Sequence, residues 1–178
     1  MPGPSYSRRA LARLALSLKA AQVSEQATDL VPTLGDEWMP SGALLDEARR
    51  LLVAAEAVLQ RAVTVERESG TSWSEVGRKL GMSEHAAQER FAANSQAWVD
   101  GVDSLMQPVE GGIEAPLLPG DGVDTPDQHA QRLDHWMAER DAEEGDAQRQ
   151  VSRGLEPAPL SEQLYRLGHV ARRIAGDH

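Results

Sequence analysis

Residues Ser72 to Phe91 read SWSEVGRKLGMSEHAAQERF, and their spacing is that of two short helices crossing through a tight turn. Ser72 and Glu75 stand in the S-x-x-E relation of a capping box, in which each side chain satisfies a free backbone N–H at a helix start. The first helix is therefore predicted to begin at Trp73. Val76, Gly77 and Leu80 recur at helical spacing, and Gly77 leaves room for a second helix to approach closely. Gly81 ends that helix, because glycine enters the left-handed region without a Cβ penalty. Met82 turns inward, Ser83 caps a second helix, and Ala87 and Phe91 lie on its buried side. By pattern, residues 72-92 form a helix-turn-helix.

The run E-V-G-x-x-L-G-M-S, Glu75 to Ser83, resembles the helix-turn-helix of bacterial transcription regulators. It is most similar to the E-I-G-x-x-L-G-V-S form in the C-terminal DNA-reading domain of sigma factors and in small actinobacterial DNA-binding proteins. The resemblance covers about twenty residues. It implies that the second helix enters the major groove of duplex DNA while the first crosses the backbone. Carried onto this chain, Gly81 is the turn glycine, and Val76, Leu80, Met82 and Ala87 are inward positions. Ser83, Glu84, His85, Gln88 and Glu89 are the outward positions expected at DNA, with Arg78 and Lys79 reaching phosphates. Gln88 has the chemistry to pair with an adenine edge, Ser83 or His85 to donate to phosphate or guanine, and Glu84 to accept from a cytosine amino group. The departure is one of charge. Such sequences commonly carry Arg or Lys after the serine where this chain has Glu84, and Glu89 adds a second carboxylate, which opposes phosphate binding.

Around this motif the chain reads as all-helical. Its 178 residues are enough to bury a core, only 4% of them are aromatic, and alanine- and leucine-rich segments dominate. The chain has no cysteine, which removes disulfides, thiolate metal sites and cysteine nucleophiles together. The net charge of -10 is uneven: residues 1-92 hold 11 Lys+Arg against 12 Asp+Glu, and residues 93-178 hold 7 against 16. The acidity thus lies outside the motif. Arg8, Arg9, Arg13 and Lys19 precede the first acidic residue, Glu25, and read either as a phosphate-contacting arm or as the solvated face of a helix. Arg13 and Lys19 also interrupt the N-terminal apolar positions, so neither an export signal nor a membrane span is expected. The expected location is cytoplasmic.

The predicted organisation is a helical domain over 1-107, a Pro/Gly linker over 108-124 and an acidic helical appendage over 125-178. A first helix from about Ser7 to Thr28 is followed by a loop in which Trp38 and Met39 fold back over the core. A second helix from about Gly42 to Ser69 carries a broad stripe, Leu44, Ala48, Leu51, Leu52, Ala55, Val58, Leu59 and Ala62, and supports the motif; Gly70 ends it. The second motif helix continues to about Gln107 with Phe91, Trp98, Val102 and Leu105 as a seam, read either as intrachain core or as the contact of a homodimer. Thr125, Pro126 and Gln128 start a further helix bearing Ala130, Leu133, Trp136 and Met137, with a solvated end at Asp141 to Asp146. A last helix is predicted from Ser161 to Ala175, carrying Leu164, Leu167, Val170 and Ile174.

Signals for catalysis are weak. His85, His129, His135, His169 and His178 form no H-E-x-x-H motif or i, i+4 ligand pair, and no nucleophile elbow, P-loop or dinucleotide glycine pattern occurs. No catalytic residue, metal or cofactor is expected. The function expected is that of a sequence-specific DNA-binding regulator of bacterial type, acting on double-stranded DNA as a homodimer. The competing expectation is a protein-interaction module whose acidic C-terminal half engages a basic partner.

Overall fold

A computed structural model describes residues 6–28, 30–31, 40–106, 118 and 124–140, with side chains at 104–106 left aside. Among the described residues there are five α-helices and no strand: α1 (Arg8–Thr28), α2 (Ala43–Glu68), α3 (Trp73–Leu80), α4 (Glu84–Met106) and α5 (Pro126–Arg140). The protein is all-α. The predicted helix 161–175, the acidic stretch 141–146 and the loop residues Trp38 and Met39 lie outside the described residues. So does the linker 108–124, apart from Leu118 and Asp124.

Local chemistry accounts for the helix ends. At the end of α2, Gly70 takes φ 89°, its N–H donates to the Arg67 carbonyl at 3.0 Å, and the Thr71 N–H donates to the Glu66 carbonyl at 3.0 Å. This pairing satisfies two carbonyls that the last turn leaves open. At the start of α5, the Thr125 N–H donates to Gln128 Oε1 at 2.8 Å and the Gln128 N–H donates back to the Thr125 hydroxyl at 3.3 Å. Pro126, which lacks an N–H, occupies the first helical position where none is needed. Gly101 does not interrupt α4.

The apolar residues gather in two clusters. The larger is centred on α1, where Leu14 and Ala15 are wholly buried, and it takes Trp98 and Val102 from α4, Ala130 and Leu133 from α5, and Leu118. Arg8, at the start of α1, bonds Glu68 at the end of α2 at 3.3 Å and also pairs with Asp103 of α4. The two long helices therefore lie side by side in opposite directions. Arg8 is held in internal ion pairs, and the basic residues of the opening stretch lie on α1 rather than on an extended arm. Helix α5 is fixed to the body through this core and through the Tyr6 hydroxyl, which donates to the Asp127 carboxylate.

The second cluster is smaller. Val63 of α2, Val76 of α3, and Ala87 and Phe91 of α4 are its buried members, with Leu59, Trp73, Leu80 and Met82 packed around them. The C-terminal half of α2 thus supports α3 and α4, as the sequence predicts.

One expectation needs correction and one open alternative is decided. The apolar stripe predicted for α2 is not buried: Leu44 is 50% exposed, Leu45 beside it 75% and Leu52 71%, Ala48 and Ala55 are exposed too, Leu51, Val58, Leu59 and Ala62 are half-buried, and the buried residues of α2 are Val63 and Thr64. Of the two readings of the α4 seam, the intrachain core is the one that describes Phe91, Trp98 and Val102. Trp98 and Val102 are buried in the larger cluster and Phe91 in the smaller, so these three side chains have no surface left for a partner. Leu105 falls among the side chains left aside.

The Tyr6–Asp127 contact carries a pH signature. Burial, and then the hydrogen bond to the Asp127 carboxylate, push the Tyr6 phenol up to about 12 from its ordinary 10.0. The folded state thus holds this proton more tightly than the unfolded chain, so its contribution is complete below pH 10 and declines as pH rises towards 12. Tyr6→Phe is expected to lower stability at neutral pH by roughly 1 kcal/mol. It should also flatten the alkaline fall, as measured by urea unfolding between pH 8 and about 12.

Candidate nucleic-acid interface

Glycine at position 77 determines how α3 meets α4. A Cβ built there would stand 2.8 Å from the Met82 carbonyl oxygen, 2.9 Å from that of Ser83 and 3.0 Å from the Ser83 carbonyl carbon. All three are backbone atoms, which cannot swing aside as a flexible side chain would. The turn therefore rests directly on α3, and the Met82 N–H closes it by donating to the Gly77 carbonyl at 2.9 Å. Gly81, at φ 69°, supplies the left-handed residue that reverses the chain.

Capping fixes both helix starts. The Ser72 hydroxyl accepts from the Glu75 N–H at 3.2 Å, while the Glu75 carboxylate accepts from the Ser72 N–H and hydroxyl, each at 3.0 Å. These bonds to the charged form hold the Glu75 carboxyl below its ordinary 4.5. At α4 the Ser83 hydroxyl accepts from the Ala86 N–H at 3.1 Å. Trp73 adds a tertiary anchor, since the Arg67 guanidinium at the end of α2 lies 4.6 Å from its ring centroid.

The inward and outward positions separate as the motif requires. Val76 and Ala87 are buried and Leu80 and Met82 half-buried, all packed in the second cluster. Ser83, Glu84, His85, Gln88 and Glu89 are exposed along the first two turns of α4. Arg78 and Lys79 are exposed on the last turn of α3, at its negative end, where cations also favour the helix. The structure thus brings all seven sequence-predicted residues to one region around a single turn.

The chemistry offered there is polar and nearly balanced in charge. Two exposed cations, Arg78 and Lys79, lie on the last turn of α3, and two exposed carboxylates, Glu84 and Glu89, on the first two turns of α4. Glu84 has a local role in the first turn of α4, at the positive end of the helix. The Ser83 oxygen is engaged as a cap, so its hydroxyl hydrogen is what it can offer a ligand. Gln88, exposed with both amide functions, is the side chain suited to reading a base edge. Sequence reasoning passed over Arg90, whose guanidinium spans both Glu56 carboxylate oxygens at 2.8 and 2.9 Å. This bond anchors α4 to α2 across 34 residues. No spacing rule relates the two positions, so the pairing was not visible before the fold.

Among the described residues, no group of three or more His, Asp or Glu could hold a metal ion. His129 is buried against Arg132, its Nδ1 2.8 Å from the guanidinium, while His85 and His135 are exposed.

Two expected outcomes test this geometry. Gly77→Ala should destabilise the protein by ~1–3 kcal/mol despite the higher helix propensity of alanine, because the added methyl meets immobile backbone; chemical denaturation measures it. The stabilisation supplied by the ionised Glu75 is complete above the ordinary carboxylate range and is lost as pH falls through the lowered folded value. Glu75→Gln keeps an acceptor for Ser72 but removes the titration, so its thermal midpoint should depend less on pH on the acid side than that of the parent.

Comparison with protein-family models, with curated proteins and with solved structures finds no match to this chain.

Proposed function

We propose that this protein binds double-stranded DNA as a sequence-specific regulator, with α3 and α4 acting as a helix-turn-helix and the first turns of α4 entering the major groove. The observation that carries the reading is the close seating of the turn on Gly77. It directs Val76, Leu80, Met82 and Ala87 inward and leaves Ser83, His85 and Gln88 as an exposed polar edge flanked by Arg78 and Lys79. In this reading Gln88 pairs with an adenine edge, His85 and Ser83 donate to base acceptors or phosphate, and Glu84 accepts from a cytosine amino group. Arg78 and Lys79 bind phosphate and set register rather than sequence. Glu84 and Glu89 lower affinity for random duplex, because carboxylates near phosphates oppose binding. The setting proposed is the bacterial cytoplasm, with transcription as the process served.

A second reading draws on those same two carboxylates and on the acidity of residues 93-178: a surface for a basic protein partner. Binding to duplex DNA across a salt series separates the two. For a DNA binder, affinity should fall by orders of magnitude from low to physiological salt. Arg78→Ala and Lys79→Ala should weaken all duplexes alike and lower the salt slope by about one each. Gln88→Ala should leave random-duplex affinity nearly unchanged and cost ~1–3 kcal/mol on the sequence selected by the parent chain. Failure to bind any duplex at low salt would refute the DNA reading and leave the protein-partner surface.

A further inference from the structure

The exposed face at the N-terminal half of α2 is apolar, neutral and self-complementary. At 100° per residue, Leu44, Leu45, Ala48, Leu52 and Ala55 fall on one side of the helix, with half-buried Leu51 at its margin. Arranged about Ala48, the sequence runs Leu44-Leu45-Asp46-Glu47-Ala48-Arg49-Arg50-Leu51-Leu52. Two leucines stand at equal distances before and after the alanine, and the four charges between them cancel.

We propose that α2 pairs antiparallel with α2 of a second copy, the two-fold axis passing beside Ala48. Antiparallel pairing about that point sets Leu45 beside Leu52 of the other copy along one edge and Leu44 beside Leu51 along the other. Ala48 meets its own counterpart, where the small side chain permits close approach. The charge pattern favours a copy of this chain over a charged partner. A chain of net charge -10 repels itself over most of its surface, but residues 43–55 carry two acids and two arginines and so add no net repulsion at the contact. An antiparallel arrangement is also the one the fold accommodates: α3 and α4 cover the same side of α2 from about Leu59 onward, so a parallel pair would bring the two covering units into collision.

The contact stands independently of the DNA reading, and either can fail alone. Where both hold, they fit in scale. Leu59, against which the α3–α4 unit packs, lies about 16 Å along the helix from Ala48 at 1.5 Å rise per residue. The two units are then carried about 33 Å apart, close to one turn of duplex DNA.

The test uses the full chain, which has no cysteine of its own. Sedimentation equilibrium should show a concentration-dependent dimer. Ala48→Cys should form an intermolecular disulfide under mild oxidation far faster than Asp46→Cys, which lies on the opposite side of α2. The double variant Leu45→Glu/Leu52→Glu, at side chains already exposed, should keep its helical content and raise the dimer dissociation constant by at least ~100-fold. A strict monomer at high concentration, with Ala48→Cys linking no faster than the control, would overturn the proposal. A monomer whose thermal midpoint falls in the double variant would overturn it as well, and would show the face to be covered from within the same chain.

Discussion

The absence of a side chain at Gly77 is the constraint on which the arrangement of α3 and α4 depends. A Cβ at this position would stand 2.8 and 2.9 Å from the Met82 and Ser83 carbonyl oxygens, so any side chain here would push α3 away from the turn. That close approach lets eight residues of α3 place Val76 and Leu80 against Ala87 and Phe91, and it seats the pair on Val63 and Leu59 of α2. An eight-residue helix has little intrinsic stability. It persists here because its start is capped, its end is closed by Gly81, and its inner face has a partner.

Helix α4 joins the two halves of the molecule. Phe91 belongs to the cluster under the turn, and two turns further on Trp98 and Val102 belong to the cluster built on α1. The exposed start of α4 is therefore part of a rod whose far end is gripped by the main core, which sets its direction more firmly than the short turn alone. Arginines of α2 reinforce the grip from outside: the Arg61 guanidinium lies 5.3 Å from the Trp98 ring centroid, and Arg67 covers Trp73. Each such contact is worth on the order of 0.5–1 kcal/mol where partly exposed.

Features governed by near neighbours in sequence were legible beforehand. The capping pairs Ser72–Glu75 and Thr125–Gln128, the terminating glycines Gly70 and Gly81, and the inward set of α3 and α4 follow from rules spanning three or four residues. The clustering of Ser83, His85, Gln88, Arg78 and Lys79 follows from the same rules, because one turn joins the helices that carry them. What periodicity does not reveal is supply and demand across the fold. The stripe of α2 continues over Leu44, Ala48 and Leu52, but these side chains stay exposed, while Phe91, Trp98 and Val102 of α4 are buried in the two clusters. An apolar face shows that burial is wanted, and the tertiary arrangement decides which face receives it. Leu118 makes the same point: a leucine within a Pro/Gly-rich stretch, buried at 2% exposure in the main cluster.

The main core joins segments far apart in sequence. Contacts within the α3–α4 unit close over a few residues, whereas Tyr6 meets Asp127 only after a loop of 121 positions has been brought together. Closure entropy grows with loop length, so the contacts of α5 with Tyr6 and α1 are among the costliest in entropy to form. On a ribosome, Leu14 and Ala15 of α1 emerge well before Ala130 and Leu133 of α5, which join them in the main cluster. The growing chain passes through an interval in which part of its main core is open to other nascent chains and to holdase chaperones.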